Sequence, residues 1–85
     1  MSKIQLDIVT PERKVYSEQV DMVITRAAEG DIGILPKHAP LVSTLKNTVV
    51  RVKRDGMEEK VAVNGGFLEV RPDKVTILAE SADLL

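Results

Sequence analysis

An alternation of period two, interrupted by proline and glycine turns, runs through most of this chain and commits it to β-structure. From Lys3 to Thr10, Ile4, Leu6 and Ile8 fall on one side of an extended backbone, with Lys3, Gln5 and Asp7 on the other. That is the pattern of a half-buried strand. Thr10-Pro11-Glu12-Arg13 breaks the run, because proline presets its own φ and turns Thr10 away from helix. Val15 and Tyr16 resume it. Val20, Met22 and Ile24 then alternate against Asp21 and Thr25 and predict a third strand ending near Ala27. Further on, Val50 and Val52 oppose Arg51 and Lys53, whereas Leu41 to Leu45 fits either a strand or a helical turn.

Asp55-Gly56 is a two-residue hairpin signal, since a type I′ turn needs positive φ at both central positions. Val61 and Val63 return on the partner strand, and Asn64-Gly65-Gly66 predicts its end. Phe67 to Val70, a turn at Pro72-Asp73 and a last strand from Val75 to Ala79 complete the chain. Turns therefore recur about every 8–12 residues, the spacing of sandwiches and barrels. Neither a sustained helical period nor an internal repeat is present. The expectation is all-β, with one exception: Ser81 is placed to cap a helix whose first turn would hold Asp83.

At 85 residues the chain has room for one core. Its 12 basic and 13 acidic side chains give a net charge of −1 and no footprint for a polyphosphate backbone, which excludes nucleic acid as the expected partner. The two aromatic residues, Tyr16 and Phe67, are too few for base or sugar stacking and are read as packing residues. Without cysteine the fold must rest on its apolar core. No apolar stretch is long enough to span a bilayer, and the N-terminus enters strand-like sequence directly, so no targeting segment and no membrane insertion are expected.

Catalytic and metal chemistry are poorly supplied. His38 is the single imidazole, no cysteine accompanies it, and no Gly-Lys-Ser/Thr loop exists, so neither a closed metal site nor a phosphate loop is expected. Glu58-Glu59 is a pair of adjacent acids after a hairpin turn and is read as solvated surface. The segment that stands out is 29–41, EGDIGILPKHAPL. It holds two glycines, two prolines, His38 and four branched aliphatics in what reads as one connecting loop. Gly30 and Gly33 admit backbone conformations closed to other residues, and Ile32, Ile34 and Leu35 need burial or a partner.

At this segment the chain resembles the epsilon subunit family of bacterial and chloroplast F-type ATP synthases, called delta in mitochondria. The resemblance rests on Gly30-Asp31-Ile32-Gly33, Pro36, His38 and Pro40-Leu41. It extends to LDIVTPERKVY from Leu6, NGGFLEV from Asn64 and VTILAE from Val75. Lys37 departs from it, standing where a glycine or small polar residue is usual, and Thr48 falls near a common glycine.

The resemblance implies a flattened β-sandwich or barrel of about ten short strands, a non-catalytic rotor part with no cofactor. It would lie at the foot of the central stalk, on the cytoplasmic face of a bacterial membrane, between the gamma subunit and the c-ring. Through the assembled complex it would serve the catalytic alpha and beta subunits. Carried over by position, the ring-facing residues are Glu29, Gly30, Asp31 and His38, and the gamma-facing patch is Tyr16, Val20, Val42, Thr76 and Ile77. The family's two-helix C-terminal domain is absent from this sequence. Two other readings stay open on the residues: a ligand-binding β-barrel, which needs an enclosed apolar cavity, and a minimal hydrolase, which needs a nucleophile and an acid beside His38.

Overall fold

The computed structural model describes residues 2–28 and 30–85. Eight strands form: β1 (Ile4–Val9), β2 (Lys14–Val20), β3 (Met22–Ala27), β4 (Gly30–Ile34), β5 (Leu41–Leu45), β6 (Thr48–Arg54), β7 (Met57–Val70) and β8 (Lys74–Leu84). They fold as two layers. One runs β2-β1-β8-β7-β5, the other β4-β3-β6-β7-β8, because the first half of β7 pairs with β6 and the second half with β5. The expected ten short strands are thus eight, with β7 and β8 each contributing to both layers.

The crossing between layers explains why a predicted break is not one. Asn64-Gly65-Gly66 does not end the strand; the β7–β8 register runs on through Asn64↔Ser81 and Gly66↔Ala79. The inward phase changes instead. Val61 and Val63 are buried before the corner and Leu68 and Val70 after it, and on β8 Val75, Ile77 and Ala79 give way to Ala82. Gly66 has φ +136, and a Cβ there would run into the backbone carbonyl oxygen of Leu78, so only glycine fits this bend. Ser81 consequently lies in β8, where its hydroxyl accepts a hydrogen bond from Asn64 Nδ2 at 2.7 Å; the expected helix is not formed.

A second phase change occurs at Asp21, the bend between β2 and β3, where the chain passes from one layer to the other. Val20 points inward, but beyond the bend the buried residues are Val23, Thr25 and Ala27, not Met22 and Ile24. A shift of one residue moves a whole strand's side chains to the opposite face. Asp55 (φ 52) and Gly56 (φ 77) make the expected turn between β6 and β7. Leu41–Leu45 is a strand, and Gly30–Ile34, read as part of a loop, is the edge strand β4.

Ile4, Leu6 and Ile8 meet Val50, Val52, Val61, Leu68 and Ile77 in a core where none of these eight side chains is exposed. Each such side chain is worth roughly 1.5–3 kcal/mol relative to exposure. Thr25 Oγ1 is buried there without a hydrogen-bond partner among the described residues.

Candidate interaction surfaces

Two features of this scaffold face outward with chemistry to spare: the edge at β4 and the outer face of the layer built on β1 and β8. The β4 edge carries Gly30 and Asp31 at its start. Asp31 pairs across the strands with Arg26, Oδ1 to Nε at 2.9 Å, and both side chains are largely exposed. His38 lies past the other end of the strand. Its backbone N–H donates to the Leu35 carbonyl at 3.1 Å, and its Nδ1 lies 2.7 Å from the Ala39 carbonyl oxygen. The neighbouring Lys37 N–H donates to the Pro72 carbonyl at 2.8 Å, which docks this turn on the β7–β8 turn. Lys37 has φ 66, a left-handed conformation that residues with a Cβ seldom adopt.

The three described ring-facing candidates, Gly30, Asp31 and His38, do not form one cluster. Asp31 and His38 are separated by the length of β4, on the order of 10 Å or more along an extended strand, and Glu29 lies outside the described residues. They share an edge. Among the described residues His38 has no nucleophile or carboxylate as a hydrogen-bond partner, so these residues do not assemble the hydrolase reading. A depression of about 520 Å³ lined by Ala27, Asp31, Ile32, Leu41 and Val42 among others is an open groove at the surface and not the enclosed cavity a barrel binder needs.

The other surface differs from the patch expected. Tyr16, Val20 and Ile77 are core residues, with Val20 and Ile77 at 0% exposure, so as a docking patch they are corrected: alternation aims them between the layers. Val42 is exposed at 58% and Thr76 is half-buried, and both do face out. Beside them lies a row the sequence reading passed over. Thr44 pairs with Phe67, Phe67 with Leu78, and Leu78 with Val9, so these four stand in line across the layer. Phe67 is 45% exposed and Leu78 52% exposed. Phe67 is therefore not the packing residue expected of it. The signal was available: aliphatic Leu68 and Val70 two apart on β7 leave Phe67 to the outside.

The adjoining row is Val42, Glu69, Thr76, Asp7 and Ser17. Asp7 is buried although it points to the outer face, because Gln5, Ser17, Lys14 and Lys74 close over it. Burial opposes its ionisation, but hydrogen bonds from Gln5 and Ser17, with Lys74 and Lys14 nearby, outweigh that and hold the carboxyl below its ordinary range. Tyr16 does different work. Its hydroxyl donates to Glu59 Oε1 at 2.8 Å across the layers, and burial together with that carboxylate pushes the phenol up to about 12.

A model of the "ATP synthase, Delta/Epsilon chain, beta-sandwich domain" family matches residues 3–84. The chain belongs to that family. Among curated members of the family, the ATP synthase epsilon chain of Alkalihalophilus pseudofirmus is 60% identical over 84 residues, covering 99% of this chain and 63% of the relative. That of Bacillus subtilis is 54% identical over 83 residues, covering 98% and 63%. The chain thus spans less than two thirds of the length of these relatives. A chain in the Euglena gracilis mitochondrial ATP synthase structure, described as OSCP/F1/c-ring, shares the fold at a TM-score of 0.91 and 24% identity, covering 99% of this chain and 54% of that one. A chain of the Tetrahymena thermophila mitochondrial ATP synthase central stalk and c-ring does so at 0.79 and 13%, covering 96% and 66%. As a delta/epsilon-type β-sandwich, the domain has its two outward surfaces on different layers, one apolar and broad, one a polar edge.

Proposed function

We propose that this domain is a non-catalytic rotor element of an F-type ATP synthase, working at the cytoplasmic face of a bacterial membrane. Its outer β1–β8–β7–β5 face lies against the gamma subunit and its β4 edge points to the c-ring. The observation that carries this reading is the row of Phe67 and Leu78, continued by half-buried Val9 and with Val42 beside it: Phe67, Leu78 and Val42 are large apolar groups held in the open on a rigid sheet of a delta/epsilon-family domain. Such groups gain by burial against a second protein, about 25 cal/mol for each Å² removed from water. Gly30, Asp31 and His38 supply exposed or half-exposed polar groups on an edge, suited to polar ring loops. Torque passing from ring to stalk would cross a sandwich whose β7–β8 ribbon runs through both layers.

Co-purification tests it. A tagged copy expressed with the other subunits should bring down gamma, the ring and the catalytic alpha and beta subunits, and a Phe67→Asp copy should bring down far less. Recovery of none of them by the unaltered chain, under conditions that keep the enzyme whole, would rule the reading out.

A further inference from the structure

The apolar row on the outer face is bounded by charge of opposite sign on its two sides. On one side Asp7 Oδ2 lies 3.3 Å from Lys74 Nζ and 3.8 Å from Lys14 Nζ. One carboxylate faces two ammonium groups, which leaves a net positive charge. Both lysines are about half exposed, at 48% and 55%, whereas the Asp7 side chain is only 10% exposed, so an approaching surface meets the lysines. On the other side, further along β8 past Thr76 and Leu78, stands Glu80. It is exposed and forms no ion pair among the described residues. Six residues of extended strand put roughly 20 Å between Lys74 and Glu80. The remaining charges nearby come in opposite pairs or lie elsewhere. Glu69 is paired with Arg71 at 3.1 Å, exposed Asp73 next to Lys74 shares the β7–β8 turn with exposed Lys37, whose N–H donates to the Pro72 carbonyl, Glu12 and Arg13 stand together with opposite sign in the β1–β2 turn, and Lys46 lies beside Arg26 and Asp31 at the β4 edge.

We propose that this face takes its partner in one orientation, recognising an apolar ridge with an acidic group on the side of Lys14 and Lys74 and a basic group on the side of Glu80. The inference rests on the reading that the face docks gamma, and it adds the chemistry that the docking subunit must present. Apolar contact alone is non-directional. A sheet face of this shape admits a ridge laid either way, and a reversed ridge would bring like charges together at both ends. Complementary charge of this kind sets register and speeds encounter more than it adds affinity.

Stopped-flow binding to the gamma subunit, across a salt series, tests this with Lys74→Gln, Glu80→Gln and Phe67→Asp. Glutamine at position 74 keeps a donor for Asp7, and Glu80 makes no buried contact, so the second variant stands even if the first loses stability in a thermal melt. At low salt each neutralisation should slow association by about 3- to 10-fold, and the difference should vanish near 0.5 M salt, where the screening length is only about 4–5 Å. Wild-type association rates for Lys74→Gln and Glu80→Gln at every salt concentration, alongside loss of binding by Phe67→Asp, would overturn the charge reading and leave the docking face intact. Wild-type binding by Phe67→Asp would remove the docking face and the charge reading together.

Discussion

The two outer faces of the sandwich are made by the same chain with the same alternation, yet they differ in what they offer a neighbour. On the β3–β6–β7 layer about half of the outward positions are charged, and the arginines among them are paired in place. Arg51 Nη2 meets Glu58 Oε1 at 2.9 Å, Arg26 meets Asp31, and only Val49 among the outward residues of that layer's middle strands is a strongly exposed aliphatic. The hydrogen bond from Arg51 holds the Glu58 carboxyl below its ordinary range. On the β1–β8–β7–β5 layer, apolar groups stand in line and the strongest polar group, Asp7, is covered over. A face whose charges are paired across its own strands is finished in water. One that holds Phe67, Leu78 and Val42 in the open is incomplete without a partner.

The largest effect should come from moving a charge from the outside of the apolar layer to its inside. Val20→Asp places a carboxylate where no surface is exposed, with an expected loss of about 3–5 kcal/mol, much of a small domain's stability. Val42→Asp, on the same layer but facing out, should leave a urea transition nearly unchanged. Equal midpoints for the two would mean that the inward and outward assignments are wrong.

The corner that joins the layers comes next. Gly66→Ala must resolve a clash with the Leu78 backbone at a φ that L-residues avoid, and about 3 kcal/mol of destabilisation is expected. A melt within a degree or two of wild type would show that β7 does not bend there as described.

Polar groups on the two faces should then separate. Asp7→Ala removes hydrogen bonds to a buried carboxylate and should cost roughly 1.5–3 kcal/mol at neutral pH. Because the folded-state carboxyl titrates below its unfolded value, its contribution is present above about pH 4 and is lost as pH falls through the lower folded value. Acid titration of stability should accordingly be flatter in Asp7→Asn than in wild type, and parallel curves would deny Asp7 this role. Arg51→Ala, from the charged face, should change stability by only about 0–1 kcal/mol, since that pair is substantially exposed. A larger loss would make the charged face a structural element in its own right.

Much of this was legible beforehand. The alternation at Ile4, Leu6 and Ile8, the turn at Asp55-Gly56 and the all-β class follow from local pattern, and the family follows from spaced glycines and prolines in 29–41. The outward surface was less legible because it depends on phase. Two bends, at Asp21 and at Gly65-Gly66, each shift which residues point inward, and neither shift alters composition. Alternation read straight through Asp21 places Met22 and Ile24 inside, and Gly65-Gly66 taken as an ending misses the bend whose change of phase turns Phe67 outward. Val20 and Ile77 follow from position in the family alone, and their burial between the layers takes them off the outer surface. The strand at Gly30–Ile34 was masked by its glycines, although Ile32 and Ile34 alternate as a strand should.

On the proposed docking, one face of the sandwich binds gamma and the opposite face does not. This is tested most directly by titrating gamma against Phe67→Asp and Val49→Asp, two outward substitutions of similar exposure on opposite layers, at 45% and 43%. Phe67→Asp should weaken binding by at least about 2 kcal/mol, roughly 30-fold, as expected for an apolar anchor in a desolvated interface, with Val49→Asp within about twofold of wild type. If Val49→Asp loses binding while Phe67→Asp retains it, the docking surface lies on the charged layer and the account is wrong.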